Sequence, residues 1–129
     1  MSAEIRYVTT ADAPNAAGHY SQGVIHNGLV YVAGQLPLVP STGEVVSDDV
    51  GAQAERTLRN VEAILVAGGA SLASLLSLTI YITRRDQWSA VNEVVARVLG
   101  EHRPARAVIP VLELKEGCHI EIQAVAAVL

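Results

Sequence analysis

A guanidinium at position 106 and a carboxylate at position 121 are the side chains best suited to do chemistry in this sequence. Arg106 lies in His102-Arg103-Pro104-Ala105-Arg106-Ala107-Val108, where the chain leaves a Pro-Ala pair and enters a Val/Ile-rich run. An arginine at the mouth of an apolar strand can grip a carboxylate through two parallel N–H···O bonds. It can equally form a surface ion pair with one of the 13 acidic residues. Arg103 reads as surface charge. Glu121 lies in the last β-prone run, where period-two alternation puts His119, Glu121 and Gln123 on one face and Cys118, Ile120, Ile122 and Ala124 on the other. The apolar face belongs to the core; the polar face is solvent, a subunit seam or a site. Gly34 either lets a ligand approach the backbone or simply ends a strand. Tyr20 offers a phenol to a pocket or packs, and Asn92, on a helix, has little case by itself. Residue chemistry alone therefore points to a small anionic-ligand site built on one arginine and one glutamate.

Other chemistries lack their signatures. There is no Gly-rich phosphate loop, nucleophile elbow or dinucleotide fingerprint. The four histidines and the single cysteine are not spaced as metal ligands, so no metal is expected. Cys118 falls on the core face, a poor place for a nucleophile. The net charge is −4, and the nine Lys and Arg are scattered. A nucleic-acid binder normally shows a basic face and a stacking platform, and neither is visible.

Positioning these groups requires a folded scaffold, and the composition supplies one. Half of the 129 residues are hydrophobic and 17% are charged, with no phenylalanine, so the core is made of Val, Ala, Leu and Ile. This is the size of one domain, taken as residues 1–129. The apolar content exceeds what a small monomer with ordinary surface requires, which points to an oligomer. No apolar run approaches the length of a membrane helix, and the start of the sequence has no secretory pattern; a soluble cytoplasmic protein is expected.

The elements read as β-β-β-α-β-α-β-β. Strands are expected at Ile5–Val8, then on both sides of Asn27-Gly28, a pair suited to a type I′ hairpin turn. Ser47-Asp48-Asp49 supplies cap residues for a helix whose apolar positions run Val50, Ala54, Leu58, Val61, Ile64 and Leu65, stopped by Gly68-Gly69. A strand at 78–83, a second amphipathic helix from Trp88 through Val98, a strand at 105–112 edged at Pro110 and a last strand at 118–128 complete the chain. The class is α+β, with two helices on one face of a mixed sheet. The other face then needs cover, which a partner subunit would give.

Several segments, in order and at matching spacing from about Ala17 to Ala126, resemble the RidA/YjgF family of reactive intermediate deaminases, also called L-PSP endoribonucleases. Gly18-His19-Tyr20-Ser21-Gln22 is similar to the family's Gly-Pro-Tyr-Ser-Gln, and Val32-Ala33-Gly34-Gln35-Leu36-Pro37 to its Ser-Gly-Gln-Ile-Pro region. Gln53 to Gly69, Val91-Asn92-Glu93-Val94, Gly100 to Arg106 and Ile120-Glu121-Ile122-Gln123-Ala124 extend the match. The resemblance implies a chorismate-mutase-like subunit, a homotrimer with clefts between subunits, and cofactor-free hydrolysis of enamine/imine intermediates such as 2-aminoacrylate to a 2-keto acid and ammonia. It places the carboxylate-binding arginine at Arg106 and the water-positioning glutamate at Glu121. Tyr20, Asn92, and backbone near Ala33-Gly34 and Ala107-Val108 would line the pocket.

The sequence departs from the family pattern at His19, Ala33, Ala107, Lys115-Glu116 and Gln123. Ala33 and Ala107 each stand where a hydroxyl is common, which would suit a bulkier or more apolar imine. The alternatives are a non-catalytic ligand-binding or protein-stabilising trimer, a pathway-specific enzyme for a larger imine, and a ribonuclease, against which the acidic charge argues.

Overall fold

The computed structural model describes residues 4–129. Six strands form one sheet: β1 (Arg6–Val8), β2 (Gly23–His26), β3 (Leu29–Gln35), β4 (Leu75–Ile82), β5 (Ala105–Pro110) and β6 (Ile120–Ala127). Helix α1 (Val50–Ala67) joins β3 to β4, and α2 (Trp88–Leu99) joins β4 to β5. The spatial order is β1-β2-β3-β6-β4-β5, antiparallel throughout except for the parallel β4–β5 pair that α2 connects. The expected α+β class and the order of elements are as observed. The ends of several strands differ from expectation. β4 starts three residues before the expected start at 78, β5 ends at Pro110 rather than 112, with the Val111 N–H still donating to the Ile82 carbonyl at 2.8 Å, and β6 spans 120–127 rather than 118–128.

Local chemistry accounts for the elements. Asn27 and Gly28 both take positive φ (51° and 77°), the geometry that lets a two-residue turn follow the strand twist. Asp49 caps α1, its carboxylate accepting from the Ala52 N–H at 2.9 Å. The stripe Ala54, Leu58, Val61, Ile64 and Leu65 is fully buried against the sheet, facing Val30, Ile80, Ile120, Ile122 and Ala126. Burial of these aliphatic side chains is the main stabilising term, about 1.5–3 kcal/mol for each large one.

Both helices cover the same face. Val8, Gly23, Val32, Ala124 and Leu78 lie side by side across five strands on that face. The opposite face carries Tyr7, Val24, Tyr31 and Val125 in an adjacent row, with Tyr7 70% and Tyr31 44% exposed. Among the described residues nothing covers that side.

Buried side-chain amides fasten the loops, a feature the hydrophobic pattern does not reveal. Gln53, fully buried on α1, donates to the Ser47 and Gly117 carbonyls at 2.7 and 2.9 Å and accepts from the His119 N–H at 2.7 Å. It thereby ties the helix start to the entrance of β6. Asn60 donates to the Leu36 and Leu38 carbonyls after β3, and Gln22 holds the loop before β2 through Thr10 and Pro14. Removing one such amide leaves several buried partners unpaired. Gln53→Ala is expected to lower unfolding free energy by about 2–4 kcal/mol in urea titrations. A loss below about 0.5 kcal/mol would show that these bridges contribute little net stability.

Candidate active site

Arg106 follows the sheet outward to the edge strand. Through the parallel β4–β5 register it lies beside Leu78, which puts its side chain on the helix-covered face. There its Nη1 donates to the Asn92 Oδ1 at 2.7 Å, and its guanidinium carbon stands 5.6 Å from the centroid of the Trp88 ring. Asn92 and Trp88 come one turn apart on α2, so a single helix face holds the guanidinium. Among the described residues no carboxylate lies within 4.0 Å of Arg106, although the chain has 13 acids. The surface ion pair allowed by the sequence is not formed.

A cavity of about 520 Å³ opens between α2 and β5 and is lined by Asn92 and Arg106 of this cluster. Leu78, Val95 and Leu99 give it an apolar wall, and Asn92, Arg103 and Arg106 contribute polar groups. Arg103, read from the sequence as surface charge, is therefore a lining residue as well as an exposed one, because the turn after α2 folds it back toward the helix.

Glu121 occupies the other side of the sheet. On β6 it pairs with Tyr81 of β4, which pairs with Ile109 of β5, three residues beyond Arg106 and so on the opposite face. The alternation expected for β6 holds: Ile120, Ile122 and Ala124 are buried, and Glu121 and Gln123 are not. The Glu121 carboxylate lies against Gly34, where a Cβ would overlap Oε2. The absence of a side chain at Gly34 thus makes room for Glu121, beside the irregularity in the β3–β6 register between Val32 and Gln35. Burial pushes the Glu121 carboxyl above its ordinary pKa. Gln123 accepts from the Tyr81 hydroxyl at 3.1 Å, and His119 pairs with Asp48 at 3.0 Å.

The remaining expected residues are less tightly gathered. Tyr20 is half exposed on the loop before β2, its hydroxyl accepting from the Ala17 N–H at 3.2 Å. Ala107 is exposed on edge strand β5, and Val108 packs partly against the core. None of Tyr20, Ala33, Gly34, Ala107, Val108 and Glu121 lines the cavity at Arg106. Cys118 is buried, and burial pushes its thiol pKa up, with Lys115 opposing the shift and Glu121 adding to it. That is the reverse of what a nucleophile needs.

A family model described as Endoribonuclease L-PSP matches residues 10–128. The chain belongs to the RidA/YjgF family. Relatives bearing the family's deaminase names include TdcF of Escherichia coli, 37% identical over 94% of this chain and 95% of its own. The human 2-iminobutanoate/2-iminopropanoate deaminase is 36% identical over 94% of this chain and 88% of its own. Among solved structures, E. coli TdcF with bound serine superposes with a TM-score of 0.90 over 95% of this chain and 98% of that one, at 37% identity. RidA from an Antarctic Psychrobacter gives 0.91 over 95% and 99%, at 35% identity. The RidA/YjgF fold is thus shared along nearly the whole chain, with two helices on a mixed sheet and no helix among the described residues long and apolar enough to cross a membrane.

Proposed function

We propose that this protein hydrolyses reactive enamine/imine intermediates, 2-aminoacrylate and related 2-imino acids, to a 2-keto acid and ammonia. The observation that carries the reading is the Arg106 guanidinium, held by Asn92 and Trp88 and without an acidic partner. A pinned cation with free donors is a carboxylate receptor. The deaminase names of relatives and the serine bound to TdcF, itself a small α-carboxylate, favour the same class of ligand.

In this reading Arg106 fixes the substrate carboxylate and so the reacting carbon. The enamine tautomerises to the imine, and water adds to the imine carbon. Glu121 takes a proton from that water and returns one to the nitrogen as the C–N bond breaks. Water and imine become keto acid and ammonia with no change in oxidation state, so the chemistry asks only for positioning and proton transfer.

Arg106 and Glu121 lie on opposite faces of one sheet, two strand spacings of about 4.8 Å each apart. One small substrate meets both only if each comes from a different copy. The site therefore sits between subunits, and the open face with Tyr7 and Tyr31 is what a neighbouring copy covers. The homotrimer implied by the family resemblance satisfies this arrangement, with Gly34 and Tyr20 contributed from the Glu121 side.

The test is release of ammonia and keto acid from enzymatically generated imines, alongside light scattering. Acceleration by a species of three times 13.6 kDa is expected. A folded protein that accelerates no imine would leave a ligand-binding role on the same scaffold, and a monomer would remove the shared site. Ala33, next to Gly34, makes that wall apolar and favours larger imines; a panel from 2-aminoacrylate to branched and aromatic members reads this out.

A further inference from the structure

We propose that Trp88 is a positioning residue for Arg106, holding the guanidinium so that its free edge faces the substrate carboxylate. This rests on the reading of Arg106 as the carboxylate receptor. A guanidinium has five N–H donors, and in the structure one side-chain contact, to the Asn92 Oδ1, engages Nη1. A single hydrogen bond leaves a long side chain free to swing. The indole supplies the second restraint: with the guanidinium carbon 5.6 Å from the ring centroid, the cation lies within range of the ring's negative face. The two restraints act at different parts of the group. Asn92 holds one nitrogen by a hydrogen bond, and the indole ring attracts the guanidinium centre. The Nε–Nη2 edge, the one suited to a two-point grip on a carboxylate, has no side-chain acceptor among the described residues.

The indole is not there to fill the core. Trp88 is 44% exposed at the first position of α2, whereas the buried side of that helix is made by Val91, Val94 and Val95. Its placement is nevertheless fixed from behind. Gln87, immediately before it, is buried, its Oε1 accepting from the Thr83 and Arg84 N–H groups at 3.1 and 3.0 Å. The turn that starts α2 is thereby locked, and with it the position from which the indole reaches Arg106. A large exposed aromatic on an anchored turn, facing an unpaired cation, fits a positioning role better than a packing one.

Trp88 is the only tryptophan in the chain, so its emission reports on this site directly. The first experiment titrates the wild-type protein with 2-oxobutanoate, a stable keto-acid probe, following tryptophan fluorescence and calorimetric heat in parallel. A saturable emission change with the calorimetric midpoint, lost in Arg106→Gln, is expected. Calorimetric binding lost in Arg106→Gln but with silent emission in the wild type would overturn the role of Trp88. The second experiment compares Trp88→Leu with Trp88→Phe. Trp88→Leu is expected to weaken 2-oxobutanoate binding, and to raise KM for an imino acid, by about five- to thirty-fold. It should change kcat less than about threefold, and Trp88→Phe should restore most of the loss. Unchanged affinity in a Trp88→Leu protein of normal Tm would overturn the proposal, as would equal loss in both variants. If the wild type binds the keto acid yet hydrolyses no imine, the deaminase reading fails while the binding series still decides the role of Trp88. If no carboxylate binds at all, both fall.

Discussion

Glu121→Gln is expected to lower kcat for imine hydrolysis by about 10²–10⁴-fold, with KM little changed. The substitution keeps the shape that fits against Gly34 and removes only the ability to take a proton. A non-catalytic binder would tolerate the change, so retention of wild-type turnover would remove Glu121 from the chemistry. The same variant makes a linked prediction for stability. Burial raises the folded-state pKa of Glu121 above its unfolded value, so the ionised form is the one the fold disfavours. That cost is fully present above the folded-state pKa and vanishes below the unfolded one. Glu121→Gln should therefore be at least as stable as wild type at neutral pH, with any gain in Tm disappearing on acidification. By the same shift, the acidic limb of the wild-type kcat/KM profile lies above the ordinary carboxylate range, because activity falls as Glu121 protonates. A variant less stable at pH 7 than at pH 4, relative to wild type, would contradict the sign.

Arg106→Ala is expected to reduce kcat/KM for carboxylated imines by about 10²–10³-fold, the loss of a charge-assisted two-point contact that orients the reacting carbon. The fold should survive, since the side chain is exposed at an edge strand and makes no ion pair among the described residues. The decisive form of the experiment mixes this variant with Glu121→Gln. If each site takes Arg106 from one copy and Glu121 from another, unfolding and refolding an equimolar mixture creates intact sites between two defective chains. Random assembly then restores about a quarter of wild-type activity, because each of the two required positions is intact half the time. If both residues acted within one chain, every site would carry a lesion and the mixture would stay inactive. The proposed shared site predicts the first outcome, and the strand registers support it: Arg106 lies in the row of Leu78 on the helix side, and Glu121 in the row of Tyr81 on the other.

These two residues also show where local pattern stops being informative. The alternation of β6, the Asn27-Gly28 turn, the apolar stripe of α1 and its stop at Gly68 were all legible, because each depends on residues within a few positions of one another. The family resemblance likewise pointed to Arg106, Asn92 and Glu121 by their neighbours in the chain. Period-two alternation states which residues of one strand share a face. It does not state which strands are neighbours, nor which face of one matches which face of another. Only the assembled sheet decides that β6 inserts between β3 and β4, bringing Glu121 against Gly34 across more than eighty residues of chain. Only the parallel β4–β5 pair, set by the α2 crossover, places Arg106 beneath Asn92 and Trp88 rather than beside Glu121. The buried amides of Gln53, Asn60 and Gln87 escaped the sequence reading for a related reason. A polar residue among apolar ones reads as exposed until the loop carbonyls and N–H groups it satisfies are brought to it. Local periodicity thus determined the elements and the side-chain chemistry available. Long-range strand pairing decided that the arginine and the glutamate face opposite ways, the observation on which the proposal of a site shared between two copies rests.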